Sequence, residues 1–298
     1  MRVFVTGATG FVGSAVVREL LEAGHEVVGL ARSQAAARAL VAAGAQAHGG
    51  SLEDPESLRR GAAAADGVIH TAFNHDFTKF KDNCETDRRA VATLCEALAG
   101  SGRPLVVTSA LGILPQGSLA TEDTEPAAGA ASHLRAPSEA EARAAAAAGG
   151  RVSLVRLAPT VHGDGDHGFV PLLAALARRT GVSAYVGDGE NRWPAVHRLD
   201  AARLYRLVLE EGATRAVCHA VAEEGVAFRD IAGVIGRRLG LPVRAVPASE
   251  AAGHFGWFAP FAAMDIPASS RRTREWLGWR PSGPGLIEDL DRPGYFES

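Results

Sequence analysis

The chain has 298 residues, of which 47% are hydrophobic and 22% charged, and its formal net charge is −3. A chain of this length builds one large domain or two small ones, and its hydrophobic fraction suffices for a full core. Because the net charge is slightly negative, the chain lacks the excess of basic residues that is typical of nucleic-acid-binding proteins. No apolar run reaches the roughly 20 residues of a membrane span. We therefore expect a globular protein that binds neither nucleic acid nor membrane.

The cysteines predict a reducing compartment. Cys84, Cys95 and Cys218 are odd in number and have no metal-like spacing, which is typical of reduced thiols in a cytoplasmic protein. The sequence enters a predicted strand at its second residue, which leaves no room for a signal peptide. We predict a cytoplasmic protein.

The first predicted elements are a strand, a glycine turn and a helix. Residues 2–6 form an apolar run, Gly7, Gly10 and Gly13 follow, and residues 11–21 show helical periodicity. In dinucleotide-binding folds such glycines permit a tight turn, close approach of the backbone to a pyrophosphate at the helix start, and close packing of helix on strand. The spacing is G-x-x-G-x-x-G and not G-x-G-x-x-G, so an ordinary turn is the alternative. The context favours nucleotide binding.

The end of the second predicted strand, residues 26–31, distinguishes NAD from NADP. An NAD site places a carboxylate there to bind the ribose 2′-hydroxyl, but this chain has Arg32 and Ser33. A guanidinium and a hydroxyl suit a 2′-phosphate. We predict NADP, with NAD less favoured. The alternative is that Arg32 is one surface arginine among many.

Strands and helices alternate through the first half, which predicts an α/β fold with a parallel sheet of right-handed βαβ units. The further predicted elements of this half are helix 34–41, strand 45–48, a helix opened by Pro55 and capped by Asp54, strand 67–70, helix 83–98, strand 105–108, helix 137–148 and strand 151–157. Ser51 and Leu52 are candidates for adenine contacts. Thr71, Ala72 and Phe73 form the predicted turn on the nicotinamide side.

The second half is less regular. Its predicted elements are helices 169–179, 200–211 and 228–239 and strands 184–186 and 216–220. Residues 112–132 form a long loop at the carboxyl end of a strand, which is more often functional than idle. Residues 254–298 are rich in aromatic residues and proline, and we expect them to form a small cap over the reactive end of the cofactor.

Five segments together resemble a known family. They read TGATGFVG at 6–13, VVTS at 106–109, RLAPTVHG at 156–163, AVHRLDAA at 195–202 and LGWRP at 277–281. The chain resembles the extended short-chain dehydrogenase/reductase family, the NAD(P)-dependent epimerase/dehydratase group, over essentially its whole length. The resemblance implies a Rossmann-type doubly wound parallel sheet, bound NAD(P) and a small C-terminal substrate-binding cap. We assign 1–158 and 184–222 to the Rossmann domain, and 159–183 and 223–298 to the cap.

The family's catalytic set is a serine or threonine, a Y-x-x-x-K pair and an asparagine. The resemblance assigns the serine to Ser109 and the asparagine position to Asp87. It also implies cofactor contacts at Thr9, Phe11, Val12, Asp87 and Thr108. The Y-x-x-x-K pair is absent, because none of the three tyrosines has a lysine four residues later and no lysine follows Lys81. The family's chemistry therefore does not transfer directly.

A histidine and an arginine occupy the place of the missing pair. His133 lies 24 residues after Ser109, about the family's interval to its tyrosine, and Arg135 follows it. The chain resembles an atypical subgroup in which histidine and arginine replace the pair, although its arginine stands at +2 and not at +4. Histidine donates or accepts a proton near neutral pH, and a nearby arginine lowers its pKa and can hold a ribose hydroxyl. The alternative is a solvated loop histidine. Our catalytic candidates are Ser109, His133 and Arg135.

Several polar and aromatic residues of the second half are candidates for substrate contact. They are His162, His167, Arg192, Trp193 and His197. A structural turn at 159–168 and core packing of Trp193 are the alternatives. The loop 159–168 also carries Asp164 and Asp166 and resembles a metal cluster, but its glycines favour a turn or a substrate loop, and we predict no metal site.

Three functions are compatible with these residues. The first is an NADP-dependent oxidoreductase, a reductase or dehydrogenase, acting on a carbonyl, hydroxyl or imine group of a small organic substrate. The second is an NAD(P)-dependent epimerase, dehydratase or other isomerase. The third is a non-catalytic NADP(H)-sensing regulator, which fits the loss of the tyrosine–lysine pair. Besides the small-molecule substrate, a homodimer through helices 83–98 and 137–148 is a possible assembly.

Overall fold

The first half of the chain alternates strands and helices, as predicted. The structure is a computed structural model that describes residues 1–127, 133–293 and 295–296. Its first six strands are β1 (Arg2–Thr6), β2 (Glu26–Ala31), β3 (Gln46–Gly49), β4 (Gly67–His70), β5 (Leu105–Ala110) and β6 (Val152–Leu157). The helices between them are α1 (Phe11–Glu22), α2 (Gln34–Ala42), α3 (Pro55–Ala63), α4 (Phe80–Leu98) and α5 (Ala136–Ala147). Asp54 caps α3 as predicted, since its carboxylate accepts the N–H groups of Glu56 and Ser57 at 3.1 Å.

Seven parallel strands form the central sheet. Strand β10 (Val217–Ala220) joins the first six in the order β3-β2-β1-β4-β5-β6-β10. The strand order reverses at β1, which pairs with β2 on one side and β4 on the other. Doubly wound sheets bind their ligands at such a switch point, outside the carboxyl ends of the strands. The predicted Rossmann-type sheet is confirmed.

The inner strands of this sheet supply two cores, because their side chains alternate between the faces. Val5 packs with Leu20 of α1 and with the helix α7 (Arg198–Glu210) on one face. Phe4 packs with Leu58 of α3 and Leu94 of α4 on the other. All of these side chains are fully buried, and each such burial contributes about 2–3 kcal/mol.

The second half builds a separate core from distant segments. Its elements are α6 (Phe169–Thr180), β8 (Ser183–Val186), α8 (Phe228–Leu239), β12 (Val243–Val246), α9 (Ala251–Phe255), α10 (Ala259–Ala262) and α12 (Leu286–Leu290). The sequence analysis assigned residues 184–186 to the Rossmann domain. Strand β8 instead pairs in parallel with β12, and Ala184 packs in the same core as Leu173 and Ile235. The domain boundaries themselves stay a prediction.

A three-stranded sheet lies outside the central one, where the sequence analysis expected loops. It contains β7 (Thr160–His162), β9 (Arg192–His197) and β11 (Glu223–Ala227), with β9 in the middle. Its register places His162 beside His197. The helix α11 (Arg271–Leu277) lies between α10 and α12 in the chain. None of the helices in the described ranges is long and apolar enough to cross a membrane.

Candidate functional site

The glycine turn between β1 and α1 is packed backbone against backbone. Gly7 has a φ of +68°, and a Cβ there would lie 2.6 Å from the Ala72 nitrogen. A Cβ on Gly13 would lie 2.0 Å from the Gly7 carbonyl oxygen. Gly10 is the N-cap of α1 and has no side chain to bond the first N–H groups of the helix. Those groups suit an anionic acceptor such as a pyrophosphate, so the residues present fit a dinucleotide.

Three predicted contacts flank this turn. Thr9 is exposed at its tip, and Val12 packs against the central core. Phe11 carries the Arg198 guanidinium over its ring at 4.6 Å from the centroid, and the His167 ring meets its edge at 5.6 Å. The structure therefore brings His167 to the glycine turn.

The residues predicted to hold the adenosine half lie after β2 and β3. Ser33 caps α2, because its hydroxyl accepts the Ala36 N–H at 3.2 Å. Arg32 is exposed, and in the part of the chain that the structure describes no carboxylate lies within ion-pair distance of it. Leu52 packs against the core and the Ser51 side chain is partly buried. Their contacts with a cofactor stay predictions.

The predicted nicotinamide turn follows β4. The Thr71 hydroxyl donates to the Thr6 carbonyl at 2.8 Å, and the Ala72 N–H donates to the Thr6 hydroxyl at 3.3 Å. The Arg135 guanidinium lies over the Phe73 ring, 4.1 Å from its centroid. A cation over an aromatic face contributes about 0.5–2 kcal/mol. The fold thus brings Arg135, from the residues just before α5, to the end of β4.

A buried polar chain runs beneath this turn, and the sequence analysis missed its central member, His70. The His70 ring bonds the Thr6 hydroxyl through Nδ1 at 2.8 Å and the Asp87 carboxylate through Nε2 at 3.1 Å. The second Asp87 oxygen lies 3.9 Å from an Arg135 Nη2. The signal in the sequence was a histidine at the end of an otherwise apolar buried strand.

Asp87 is held as a buried carboxylate. Burial alone raises the pKa of Asp87, but the His70 hydrogen bond and the Arg135 charge outweigh it, so the pKa lies below its ordinary value. Asp87 Oδ2 and Arg135 Nε have no hydrogen-bond partner among the described residues. Both atoms are also buried, so the two side chains form an ion pair at this point without a direct hydrogen bond between them.

His133 lies at the mouth of a cavity of about 530 Å³. The other lining residues are Phe80, Gly112, Ile113, Leu114, Pro115, Gln116, Ala127 and Leu134. The backbone N–H of Arg135 donates to His133 Nδ1 at 3.2 Å, so the neutral ring carries its proton on Nε2. Burial, and then the Arg135 charge, lower the pKa of His133 below its ordinary value of 6.5. His133 and Arg135, two of the three predicted catalytic residues, are thus neighbours in the site.

The third, Ser109, points elsewhere. Ser109 is 5% exposed, and its hydroxyl donates to the Glu139 carboxylate at 2.7 Å. The same carboxylate accepts from Arg156 Nε at 3.1 Å and Arg143 Nε at 3.0 Å. The preceding residue, Thr108, faces the opposite side of the sheet and bonds the His70 carbonyl at 2.7 Å. This geometry corrects the expectation that Ser109 polarises a substrate oxygen, because its proton is already donated to a buried carboxylate.

His219 completes this buried network on β10. Its Nδ1–H donates to the Ser269 carbonyl at 2.9 Å, and its Nε2 accepts from Arg156 Nη1 at 3.3 Å. Burial, and then the Arg156 charge, lower the pKa of His219 to about 4. The ring is therefore neutral at pH 7, and protonation would place an N–H against a guanidinium.

Four of the five residues predicted to contact substrate have other partners. Arg192 forms a two-point pair with Asp265, with N–O distances of 2.9 and 2.8 Å. Trp193 is 1% exposed and packs in the core of the second half, so its predicted substrate contact is replaced by the packing alternative. His162 bonds Asp289 at 2.7 Å, and His197 caps α7. In the described ranges, no group of three or more histidine, cysteine or acidic side chains is arranged to hold a metal ion.

The comparisons with known proteins identify relatives of the whole chain. The sequence profile of the NAD dependent epimerase/dehydratase family matches residues 3–221. An uncharacterized protein of Schizosaccharomyces pombe is 49% identical over 298 residues, 99% of this chain and 100% of that protein. A UDP-glucose 4-epimerase of Streptomyces lividans is 30% identical over 95% of this chain and 92% of its own length.

A reductase and a dehydratase are also among the similar proteins. A 2-alkyl-3-oxoalkanoate reductase of Stenotrophomonas maltophilia is 31% identical over 73% of this chain and 68% of its own length. The crystal structure of a dTDP-glucose 4,6-dehydratase from Streptomyces venezuelae, with NAD and TYD bound, superposes with a TM-score of 0.77. The superposition covers 98% of this chain and 95% of that one at 24% identity, which shows a shared fold.

Proposed function

Because the chain belongs to the NAD dependent epimerase/dehydratase family, we propose that it is an NADP-dependent oxidoreductase acting on a carbonyl, hydroxyl or imine carbon of a small organic substrate. The observation that carries the proposal is the meeting of Arg135, Asp87 and His133 beside a 530 Å³ cavity, at the carboxyl ends of β4 and β5. NADPH, when bound, supplies the hydride. The residues named below hold it and bind the substrate oxygen.

The cofactor would lie along the carboxyl edge of the sheet. The glycine turn would receive the pyrophosphate on backbone N–H groups, and Arg32 would pair with the 2′-phosphate. Asp87 and Arg135 would take the place of the family's lysine at the nicotinamide ribose. A guanidinium donates hydrogen bonds and a carboxylate accepts them, so the pair matches a ribose hydroxyl, which accepts and donates at once.

His133 would donate a hydrogen bond to the substrate oxygen. The Arg135 N–H on Nδ1 fixes the proton of the neutral ring on Nε2, which gives a donor on a residue that lines the cavity. Since its pKa is lowered, the ring is neutral at pH 7, so its Nε2–H would stabilise the developing alkoxide by a hydrogen bond, and the proton of the product hydroxyl would come from solvent. Ser109 has no part in this scheme, because its hydroxyl bonds Glu139.

The experiment is NADPH oxidation, followed at 340 nm, with a panel of carbonyl compounds. His133→Ala should lower kcat by about 10²–10³-fold, the usual cost of losing a hydrogen-bond donor to a developing oxyanion. His25→Gln is the matched control, because His25 immediately precedes β2 at the opposite edge of the sheet. Tight NADPH binding with no oxidation by any carbonyl would contradict an oxidoreductase, and it would favour the regulator if product analysis also finds no isomerised product.

An epimerase or isomerase remains the second candidate, and the relative from Streptomyces lividans supports it. Such an enzyme returns the hydride to its substrate within one turnover. It would therefore interconvert sugar nucleotides without net NADPH consumption, which the same assay coupled to product analysis detects.

A further inference from the structure

One wall of the cavity continues into the cap as a ladder of aromatic rings. Phe80, which lines the cavity, stacks on Phe77 with centroids 5.6 Å apart and ring planes 25° apart. Phe77 stacks on Trp257 at 4.8 Å and 21°. We call Phe80, Phe77 and Trp257 the aromatic ladder. It joins the segment between β4 and α4 to the segment between α9 and α10 through ring faces.

The ladder is exposed where a ligand could reach it. Trp257 is 52% exposed, although a tryptophan that packs on a neighbour ordinarily buries 150–250 Å² of surface. Phe77 and Phe80 are only partly buried. Phe77 is stacked between Phe80 and Trp257, so the free ring area lies at the ends of the ladder. A flat ring with free area favours stacking with another planar group at a centroid spacing of about 4.5–7 Å.

The remaining wall of the cavity is apolar and uncharged. Ile113, Leu114, Pro115 and Leu134 form most of it. Of the nine described residues that line the cavity, only Gln116 and His133 have polar side chains, and none is a lysine or arginine. A charged substrate would lose hydration against these nine residues without gaining an ion pair from any of them.

Arg192, which is linked to the cavity loop through Asp265, is already paired with a carboxylate. The Gly117 N–H, one residue beyond the lining residue Gln116, donates to the Asp265 carbonyl at 2.8 Å. The carboxylate of Asp265 holds the Arg192 guanidinium at two points. A sugar nucleotide carries a diphosphate, which proteins bind with free arginines or lysines. Lys79 and Lys81 flank Phe80 in sequence, but both are exposed and neither lines the cavity.

From these contacts we propose that the site takes an uncharged, planar apolar carbonyl compound, an aryl aldehyde or aryl ketone, and not a sugar nucleotide. This inference rests on the proposed function. In reduction the carbonyl carbon gains a hydride from NADPH, and the C=O bond becomes a C–O single bond. The oxygen is hydrogen-bonded by the Nε2–H of the neutral His133 ring and takes its proton from solvent. The aryl carbonyl is reduced to an alcohol, and NADPH is oxidised to NADP⁺.

The test compares matched substrates and matched tryptophan variants. Benzaldehyde should exceed 4-carboxybenzaldehyde in kcat/KM by at least about tenfold, because the carboxylate is desolvated without a partner. Trp257→Leu should lower kcat/KM for benzaldehyde about 3–10-fold, the loss of one ring stack, and leave propanal unchanged. Trp276→Leu is the control, because Trp276 lies on α11 and contacts Arg215.

A second readout separates this inference from the proposed function. Binding of benzamide, an unreactive aryl analogue, and of UDP-glucose to the NADP⁺ complex is measured by calorimetry. Loss of benzamide affinity in Trp257→Leu and in Phe77→Leu supports the aromatic site even if no carbonyl is turned over, in which case the oxidoreductase proposal alone fails. Turnover without preference for aryl substrates, or UDP-glucose binding tighter than benzamide, overturns the inference and leaves the oxidoreductase standing.

Discussion

The substitution Ser109→Ala tests whether this hydroxyl, at the end of β5, contributes to catalysis or to stability. Its hydroxyl is one of three side-chain donors to the buried Glu139 carboxylate, beside Arg156 and Arg143. Ser109→Ala removes one hydrogen bond to a charged acceptor and leaves the arginine bonds in place. Such a bond contributes about 1.5–3 kcal/mol, and the lower end applies because the carboxylate keeps its arginines. For a chain of this size, we expect Tm to fall by roughly 3–6 °C.

Kinetics separate the two roles of Ser109 by two orders of magnitude. If Ser109 polarised the substrate oxygen, its loss would lower kcat about 10²–10³-fold, as the loss of an oxyanion donor does. A hydroxyl that serves Glu139 predicts a kcat within about threefold of wild type, because no transition-state contact is lost. Initial rates of NADPH oxidation and thermal melts measure the two quantities.

The control for Ser109 is a serine in a similar setting. Ser153→Ala removes a buried hydroxyl on β6 that donates to the Arg215 carbonyl, and it should likewise lower Tm without changing kcat. A hundredfold loss of kcat in Ser109→Ala, with an unchanged Tm, would refute the structural role and restore the catalytic one.

Four further predictions follow from the geometry. Gly13→Ala places a methyl 2.0 Å from a turn carbonyl and should raise the NADPH Kd at least about tenfold, whereas Gly233→Ala, which meets nothing within 4 Å, should stabilise α8 by up to about 1 kcal/mol in urea melts. Arg32→Glu should shift the kcat/KM ratio from NADPH towards NADH, and an unchanged ratio would contradict the 2′-phosphate assignment. Because the folded-state pKa of His219 is depressed to about 4, its stabilising contribution is full above pH 6.5 and lost as pH falls towards 4, so His219→Gln should flatten Tm against pH in that window. Asp87→Asn leaves the Arg135 guanidinium without its carboxylate partner, so it should lower the free energy of unfolding by about 3 kcal/mol and raise the KM for NADPH. A normal KM would argue against the ribose contact.

The sequence sufficed to predict the glycine turn, because the residues that form it are adjacent in the chain. Gly7 and Gly13 are needed where the turn meets the strand and loop beside it, and the strand, turn and helix are adjacent in sequence. The alternation of strands and helices likewise sufficed for a parallel sheet. His70 was visible as a polar residue in an apolar run, but its partners lie 64 and 17 residues away, so only the fold shows the chain to Asp87.

The sequence alone could not show which face of the sheet each side chain of a buried strand points to, or which distant residues pair. In a parallel sheet both faces are buried and apolar, so no alternation showed that Thr108 and Ser109 face opposite helices. Strand β8 looked like a further Rossmann strand, because its partner β12 is a short, mostly exposed segment that begins 57 residues after it. Arg192 looked free because Asp265 is 73 residues away.

The core of the second half also constrains how the protein is made. It combines Leu173 of α6 and Phe228 of α8 with Leu290 and Phe296 near the end of the chain. The first six sheet strands are complete at residue 157, so at ordinary rates of translation the ribosome works for roughly 7–28 s before the last of these residues is added. Throughout that interval the apolar side of α6 has no partner from the end of the chain. The newly made chain is therefore exposed to chaperones and to aggregation longest at the core of its second half.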